Sequence, residues 1–429
     1  MKQLLALMIF FPALLSAQEL LTPEEALRIG MKNNYDILLT RNAADAAAVN
    51  NTAGAAGMLP DVSVNAAAAK NQSNIQQRFS NGNEITSPNA GGQNFSAGIA
   101  LGWTVFDGMR MFATRERLEQ TAAAGEYAWR AQVQTTAANI LSDYYTIVRL
   151  KELIKATQEV IAVNEERVSI TENRFKSGLA AKNELLQARI DLNVQQENLI
   201  SLQLSQTLAQ QQLNQRLARD PLLAFAVLDS IPDAVLENRA QLQQKITSSN
   251  PELLAFQSRV NAAGQTVREA RAAYMPTVRL NAGYNFARNE NAAGFSLLNQ
   301  SYGWQGGVTL AMPLYSGGNV KRSVALSRIQ LSDARYQEER ATQAASLQLH
   351  NALQTFDART SMLALERENE AMARENIQIA LDRLRLGQGT SLEVKEAQAT
   401  LAACLTRSIQ ARYDLKITEV SVQQLAGAF

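Results

Sequence analysis

The sequence predicts a mixed α/β membrane fold built from two tandem structural repeats. Each repeat couples a pair of membrane-type strands to a helical hairpin too long for a conventional globule. Three observations carry this expectation. The chain resembles itself: Asn34 in Asn33-Asn34-Tyr35-Asp36 aligns with Asn250 in Ser249-Asn250-Pro251-Glu252, and Leu59-Pro60-Asp61-Val62 with Met275-Pro276-Thr277-Val278, both at an offset of 216. Phe106-Asp107-Gly108 then matches Tyr315-Ser316-Gly317 and Arg174-Phe175-Lys176-Ser177-Gly178 matches Arg383-Leu384-Arg385-Leu386-Gly387, at an offset of 209. One duplicated unit with a single segment of different length accounts for both values. Four segments alternate with period two, and two stretches of roughly 70 residues, each about 100 Å long if helical, contain no proline.

Taken in order, residues 1–17 read as a secretory signal. Lys2 gives the positive start, Leu4 to Leu15 the apolar stretch, and Ser16-Ala17 a small-residue cleavage site before Gln18. The stretch is too short to span a bilayer comfortably, and with no cysteine after it a lipid anchor is not expected. Repeat 1 is expected over 18–220, with a strand pair at about 60–106 and a helical hairpin at about 108–217 whose tip lies near 178. A linker or equatorial region follows at 221–248. Repeat 2 covers 249–429, with strands at about 276–315, a hairpin at about 318–425 and a tip near 387.

The first strand alternates Val62, Val64, Ala66 and Ala68 with Asp61, Ser63 and Asn65; the other three follow suit. A half-buried soluble sheet would alternate in the same way. Three details favour a membrane strand. Each run is about ten to thirteen residues, enough for a tilted span of about 9–11. Trp103, Phe106, Tyr302, Trp304 and Tyr315 fall toward strand ends, where interfacial aromatics collect. The opposite face is small and polar, as a water-filled lumen requires. Pro60 and Pro276 open the first strand of each pair, where a missing N–H is tolerated. Residues 71–93 and 288–301 read as a long and a short external loop. Four strands leave open edges, and open edges in lipid leave backbone groups unpaired. Two chains would supply eight strands and three would supply twelve.

The long stretches carry a coiled-coil seam, Val133, Ala137, Ile140, Tyr144 and Ile147 at 4-3-4-3 spacing, with Leu349, Leu353 and Phe356 as repeat counterparts. Glycines at 178 and 387 break each helix and let it turn back. An exposed structural coiled coil explains the helices alone but not the strands joined to them.

Composition excludes several function classes. Lys plus Arg number 41 and Asp plus Glu 40, so the net charge of +1 gives no case for nucleic acid. The single cysteine, Cys404, permits no intrachain disulfide. With His350 the only histidine, neither a His/Cys metal site nor a Ser-His-Asp triad can be assembled. Gly387-Gln388-Gly389-Thr390-Ser391 lacks the lysine of a phosphate-binding loop. No cofactor, metal or catalytic activity is expected.

The order of helix, strand pair and long hairpin, given twice, resembles the outer-membrane efflux protein family of TolC-like exit ducts. The turns Phe106-Asp107-Gly108 and Tyr315-Ser316-Gly317-Gly318 and the two hairpin tips carry that resemblance over the whole mature chain. It implies a homotrimer, in which a twelve-stranded outer-membrane barrel with four strands per chain continues into a twelve-helix periplasmic barrel. It also implies two partners, a periplasmic adaptor and an inner-membrane pump of the RND, ABC or MFS type, besides outer-membrane lipid. An acidic iris at the periplasmic end would place Glu393 and Glu396 on one helix face at a pore constriction. The family's Tyr/Arg latch positions read Leu384 and Gly389 here, so that latch cannot form. Asn183 and Glu184 still match the partner positions, and Lys182 or Arg385 would supply other iris contacts. Ser177, Gly178, Leu179, Leu386, Gly387 and Gln388 resemble the docking surface for the adaptor. The function implied is a passive exit duct for efflux or type I secretion; the rival is a trimeric structural coiled coil or adhesin of the envelope.

Overall fold

The computed structural model of the chain describes residues 20–236, 239–293 and 296–429. The signal expected at 1–17 lies outside the described residues. Eight helices and four strands follow one another as α1 (Pro23–Asn33), α2 (Tyr35–Val49), β1 (Asp61–Arg78), β2 (Glu84–Phe106), α3 (Arg110–Lys176), α4 (Lys182–Arg216), α5 (Arg239–Ser249), α6 (Pro251–Ala272), β3 (Thr277–Asn291), β4 (Leu298–Ala311), α7 (Asn319–Arg385) and α8 (Ser391–Leu425) among the described residues. The duplication keeps helix length in three of the four pairs: α3 and α7 each have 67 residues, α4 and α8 each have 35, and α1 and α5 each have 11, whereas α2 has 15 and α6 has 22. The chain divides into two compact units, described separately.

One unit takes in residues up to Arg41 together with 129–251 and 342–429. Its main core is the seam of α3. Ile140, Tyr144 and Ile147 are fully buried against Leu21, Leu213, Leu217, Phe225 and Val227. The Tyr144 hydroxyl donates to the Leu21 carbonyl (2.9 Å) and accepts the Leu228 N–H (3.1 Å), so this fully buried polar group is satisfied twice. The inter-repeat stretch is therefore a core element. Residues 225–231 pack on α3, and α5 forms inside the span expected to be linker. Two asparagines mark the repeat within this unit. Asn34 Nδ2 donates to the Arg216 carbonyl (2.8 Å), and Asn250 Nδ2 to the Leu425 carbonyl (3.1 Å). Each ties a helix junction to the last turn of its own repeat's second hairpin helix, supplying a donor to a carbonyl that the helix leaves free.

The other unit takes in residues 42–128 and 252–341. Its sheet is antiparallel throughout, in the order β1-β2-β3-β4. Gly108, at φ +74°, lets the chain pass from β2 into α3 where an added Cβ would lie 2.5 Å from the Ala272 carbonyl oxygen. The first turns of α3 pair with α6 through Arg117–Glu269 (2.7 Å) and Arg268–Glu116 (2.9 Å).

Pairing extends well beyond the expected spans. Lys70↔Gln93 continues to Arg78↔Glu84, with one register shift between Ser73 and Ile75, so most of 71–93 is strand and only residues 79–83 turn. Likewise β3 runs to Asn291 and β4 begins at Leu298, which shortens the second loop. Alternation of apolar with polar residues cannot reveal such extensions, because Gln, Asn, Ser and Thr occupy both faces there while their backbones still pair. The aromatics shift accordingly. Trp103 and Phe106 do end β2, and Tyr315 lies past β4, but Tyr302 and Trp304 sit inside β4 opposite Phe286 and Tyr284.

Register places these side chains in rows on one face. Phe106, Val278 and Leu310 form one end; Phe286, Ala97 and Tyr302 lie eight residues further along β3. That is about 27 Å along a strand and about 20 Å after a tilt of roughly 40°, close to the apolar band of about 25 Å on membrane barrels. The opposite face carries Ser63, Asn65, Asn281, Asn285 and Gln305 among glycines. At Gly98 an added Cβ would stand 2.3 Å from Asn285 Oδ1, and at Gly102 2.8 Å from the Arg279 guanidinium, so absent side chains make room for polar ones.

Candidate functional site

The residues singled out at the two tips sit in matching turns. At the first, Gly178 (φ +75°) stands just past α3; its N–H donates to the Phe175 carbonyl (3.0 Å) and the Leu179 N–H to the Arg174 carbonyl (2.8 Å). At the second, Gly387 (φ +73°) donates to Leu384 (3.2 Å) and Gln388 to Arg383 (2.9 Å). Both are Schellman caps, which need a residue in the left-handed region and satisfy two otherwise free carbonyls. Leu179 and Leu386 occupy the two turns and are 71% and 72% exposed, so each turn presents an apolar side chain to solvent. Ser177 is spent locally, donating to the Asn173 carbonyl (3.0 Å).

The starts of the returning helices differ. Ala181 offers α4 no side-chain cap, whereas Thr390 accepts the Glu393 N–H (3.2 Å) at the start of α8. Thr390-Ser391-Leu392-Glu393 is a capping-box sequence, and the Glu393 carboxylate folds back to within 3.3 Å of where a Gly389 Cβ would be. Arg383 approaches the same carboxylate at 3.8 Å. Glu393 thus has a local structural task. Glu396 has none among the described side-chain contacts, and both carboxylates lie on the exposed face of α8, opposite buried Val394, Ala397 and Leu401.

The positions expected to make iris contacts are not brought together within one chain. Arg385 binds Glu166 on α3, and Asp382 at 2.8 Å, rather than Asn183 or Glu184. Lys182, Asn183 and Glu184 form the exposed first turn of α4. Leu384 is only 2% exposed and packs among Ile377, Leu381, Val394 and Leu401, so a hydrophobic contact stands at the latch position. Its carbonyl accepts a bond from Arg174 (3.2 Å), which joins the two hairpins near their ends.

A stronger link between the hairpins lies a few turns away. Arg167 on α3 has a side chain only 1% exposed. Its Nη2 donates to Asp191 Oδ2 on α4 (2.5 Å) and its Nη1 to Gln398 Oε1 on α8 (2.6 Å). Lys395 (3.2 Å) and Gln187 (2.8 Å) complete the shell of Asp191. Burial alone would raise the Asp191 carboxyl pKa; the bonds from Arg167, Gln187 and Lys395 outweigh that and hold it below the ordinary aspartate value. Sequence reasoning missed this cluster. The signal was available: Val160, Asn164, Arg167 and Thr171 keep the 4-3-4 seam spacing and are all buried, but the seam there turns polar.

A family model described as "Outer membrane efflux protein" matches residues 29–219 and 242–428. Among curated proteins the chain is similar to the outer membrane efflux protein BepC of Brucella suis, at 22% identity over 341 residues, 77% of this chain and 72% of that one. It is also similar to the pyoverdine export outer membrane protein OpmQ of Pseudomonas aeruginosa, at 25% identity over 83% of this chain and 74% of the relative. The solved outer-membrane channel OprN shares the fold with a TM-score of 0.81 at 19% identity, covering 95% of this chain and 90% of that one.

Proposed function

The chain belongs to the outer membrane efflux protein family, and we propose that it works as the passive exit duct of a tripartite efflux or type I secretion system. It resides in the outer membrane and extends into the periplasm. In this reading three chains close one twelve-stranded barrel and continue it as twelve helices; an adaptor docks at the tips around Leu179 and Leu386, and an inner-membrane pump supplies energy and chooses cargo.

One observation carries the reading. The four-stranded sheet has an apolar band on one face, and β1 and β4 each have one edge free. An edge left unpaired in lipid costs several kcal/mol per backbone group, so copies of the same sheet have to complete the barrel. The helices make the same demand, since α4 leaves Leu186, Ile190, Val194, Ile200, Leu204 and Leu208 exposed at helical spacing. Glu393 and Glu396, repeated three times on the exposed face of α8, would favour cations at the narrow end. Arg167, Asp191 and Gln398 would hold the two hairpins of each chain together while the duct is shut.

The test is isolation of the outer-membrane fraction, followed by electrophoresis with and without boiling and by planar-bilayer recording. A heat-modifiable trimer that conducts is expected. A trimer that does not conduct, with its helices exposed at the cell surface, would instead make the protein a structural coiled coil or adhesin.

A further inference from the structure

The face of the sheet that bears the apolar band does not end in neutral residues. Just beyond the row of Phe286 and Tyr302, register sets Phe95 opposite Arg288, and in the next row Lys70 and Glu290 flank Gln93. Lys70, Gln93, Phe95, Arg288 and Glu290 line a groove of about 620 Å³. Phe95 and Phe286 meet edge to face at 6.0 Å on its apolar side. Lys70 and Arg288 are two strands apart and two residues offset, so their Cα atoms lie about 12 Å apart, within reach of a shared anion for side chains of this length. Arg288 gives Nε (2.7 Å) and Nη2 to Glu290, leaving Nη1 uncommitted, and Lys70 has no hydrogen bond or ion pair among the described residues.

From the row of Val278 to that of Arg288 is ten residues, about 25 Å of membrane height at a tilt of about 40°. The strand ends at the Val278 row connect to the helices, which lie in the periplasm. The basic pair therefore stands at the external boundary of the bilayer, at the level of outer-leaflet headgroups.

We infer that this groove is a binding site for a phosphorylated glycolipid of the outer leaflet. Its headgroup phosphate would sit between Lys70 and Arg288, and its acyl chains against Phe95 and Phe286. Charge complementarity selects this occupant: a phosphate-free lipid leaves Lys70 unpaired at the membrane boundary, and a phosphate supplies its partner. Glu290 orients Arg288 and at the same time weakens the site by repulsion. This inference needs the strands in the membrane but not the conduction proposed above.

The test is native mass spectrometry of the purified full-length protein in detergent with EDTA, titrated with diphosphoryl lipid A, with its dephosphorylated form, and with inorganic phosphate as competitor. Diphosphoryl lipid A is expected to bind more tightly than the dephosphorylated lipid and to resist competition by inorganic phosphate. Each of Lys70→Ala and Arg288→Ala should weaken it about five-fold, the equivalent of about 1 kcal/mol for a basic side chain at an anionic surface. Glu290→Gln should tighten it, a gain that a misfolded variant could not produce. Equal binding of the two lipids, ready displacement by inorganic phosphate, or a double Lys70→Ala/Arg288→Ala variant that binds like the parent chain would overturn the assignment. Conductance recorded on the same variants should be unchanged, which separates failure here from failure of the duct reading.

Discussion

Asp191→Asn is the most informative single change to the helical unit. It removes the carboxylate from a guanidinium that is 1% exposed and whose remaining partner is the neutral Gln398. Lys395 also loses its bond, but it is 44% exposed and is solvated at little cost. Breaking a buried ion pair by removing one member costs about 3–5 kcal/mol. Asp191 itself is 19% exposed, and asparagine can still accept one bond, which points to the low end, about 3 kcal/mol. At 1.36 kcal/mol per decade, local opening should become about 150-fold more frequent. Hydrogen exchange at amides 164–171 and 185–194 reads this directly, with the far end of α4 as internal reference. Arg167→Met should cost less, because it removes the charge that needs a partner and leaves Asp191 bonded to Lys395 and Gln187. The double variant should cost less than Asp191→Asn plus Arg167→Met added together. The sign of the pH effect follows from the depressed carboxyl. Its stabilisation is complete above the ordinary aspartate pKa of about 3.9 and is lost as pH falls through the lower folded value. Protection should be flat from about pH 8 to 5 and collapse only below about 4. Exchange within five-fold of the parent chain in Asp191→Asn, or a larger effect from Arg167→Met, would refute the assignment of Arg167 as a buried charge dependent on Asp191.

Two further outcomes can be checked in the sheet and at the tip. Gly283→Ala would put a Cβ 2.9 Å from the Ile99 carbonyl oxygen, a backbone atom that cannot move aside, whereas Gly303→Ala meets nothing within 4 Å. The first should lower stability by about 1–3 kcal/mol and the second by less than about 0.5, measured as the temperature of oligomer dissociation; equal shifts would show that the face is not packed as described. Glu396→Gln should reduce cation preference, read as reversal potential in a KCl gradient, without lowering stability. Glu393→Ala should reduce cation preference too and lower stability by less than about 0.5 kcal/mol, because its backbone N–H still donates to the Thr390 cap and its carboxylate makes only an exposed 3.8 Å approach to Arg383. Unchanged reversal potentials in both variants would remove this face from the narrow part of the pore.

Most of the helical architecture was legible because it depends on local rules. Absence of proline, seam spacing at Ile140, Tyr144 and Ile147, and glycine at 178 and 387 each leave a mark in sequence, and each governs structure within a few residues of itself. The strands were legible only where their two faces differ in polarity. Past Lys70 and Arg288 both faces are polar, the contrast vanishes, and pairing such as Gln76↔Thr86 is carried by the backbone alone. Of the cluster around Arg167 only the polar seam on α3 is visible in the sequence, and its partners were hidden for another reason. Asp191, Lys395 and Gln398 reach it from two other helices, and their repeat counterparts, Thr400, Leu186 and Arg189, carry no matching set. A contact present in one repeat and absent from the other cannot be found by comparing them.

The shift of offset from 216 to 209 has a physical basis. The seven residues are lost mainly from the outer ends of the second strand pair: β3 stops at Asn291, the counterpart of Ile75, where β1 runs on to Arg78, and β4 begins at Leu298, the counterpart of Asn89, where β2 begins at Glu84. Beyond the apolar band a strand can lengthen or shorten freely, since each residue added or removed there exchanges backbone bonds with water at little net cost. A helical hairpin has no such freedom. Removing one residue from α3 would rotate every later position by about 100° and carry Arg167 out of the core that holds Asp191 and Gln398. Length is therefore conserved between repeats where rotation is coupled to burial, and drifts where it is not. By the same reasoning, single-residue deletions should be tolerated at 79–83 and disruptive anywhere between Leu141 and Arg174.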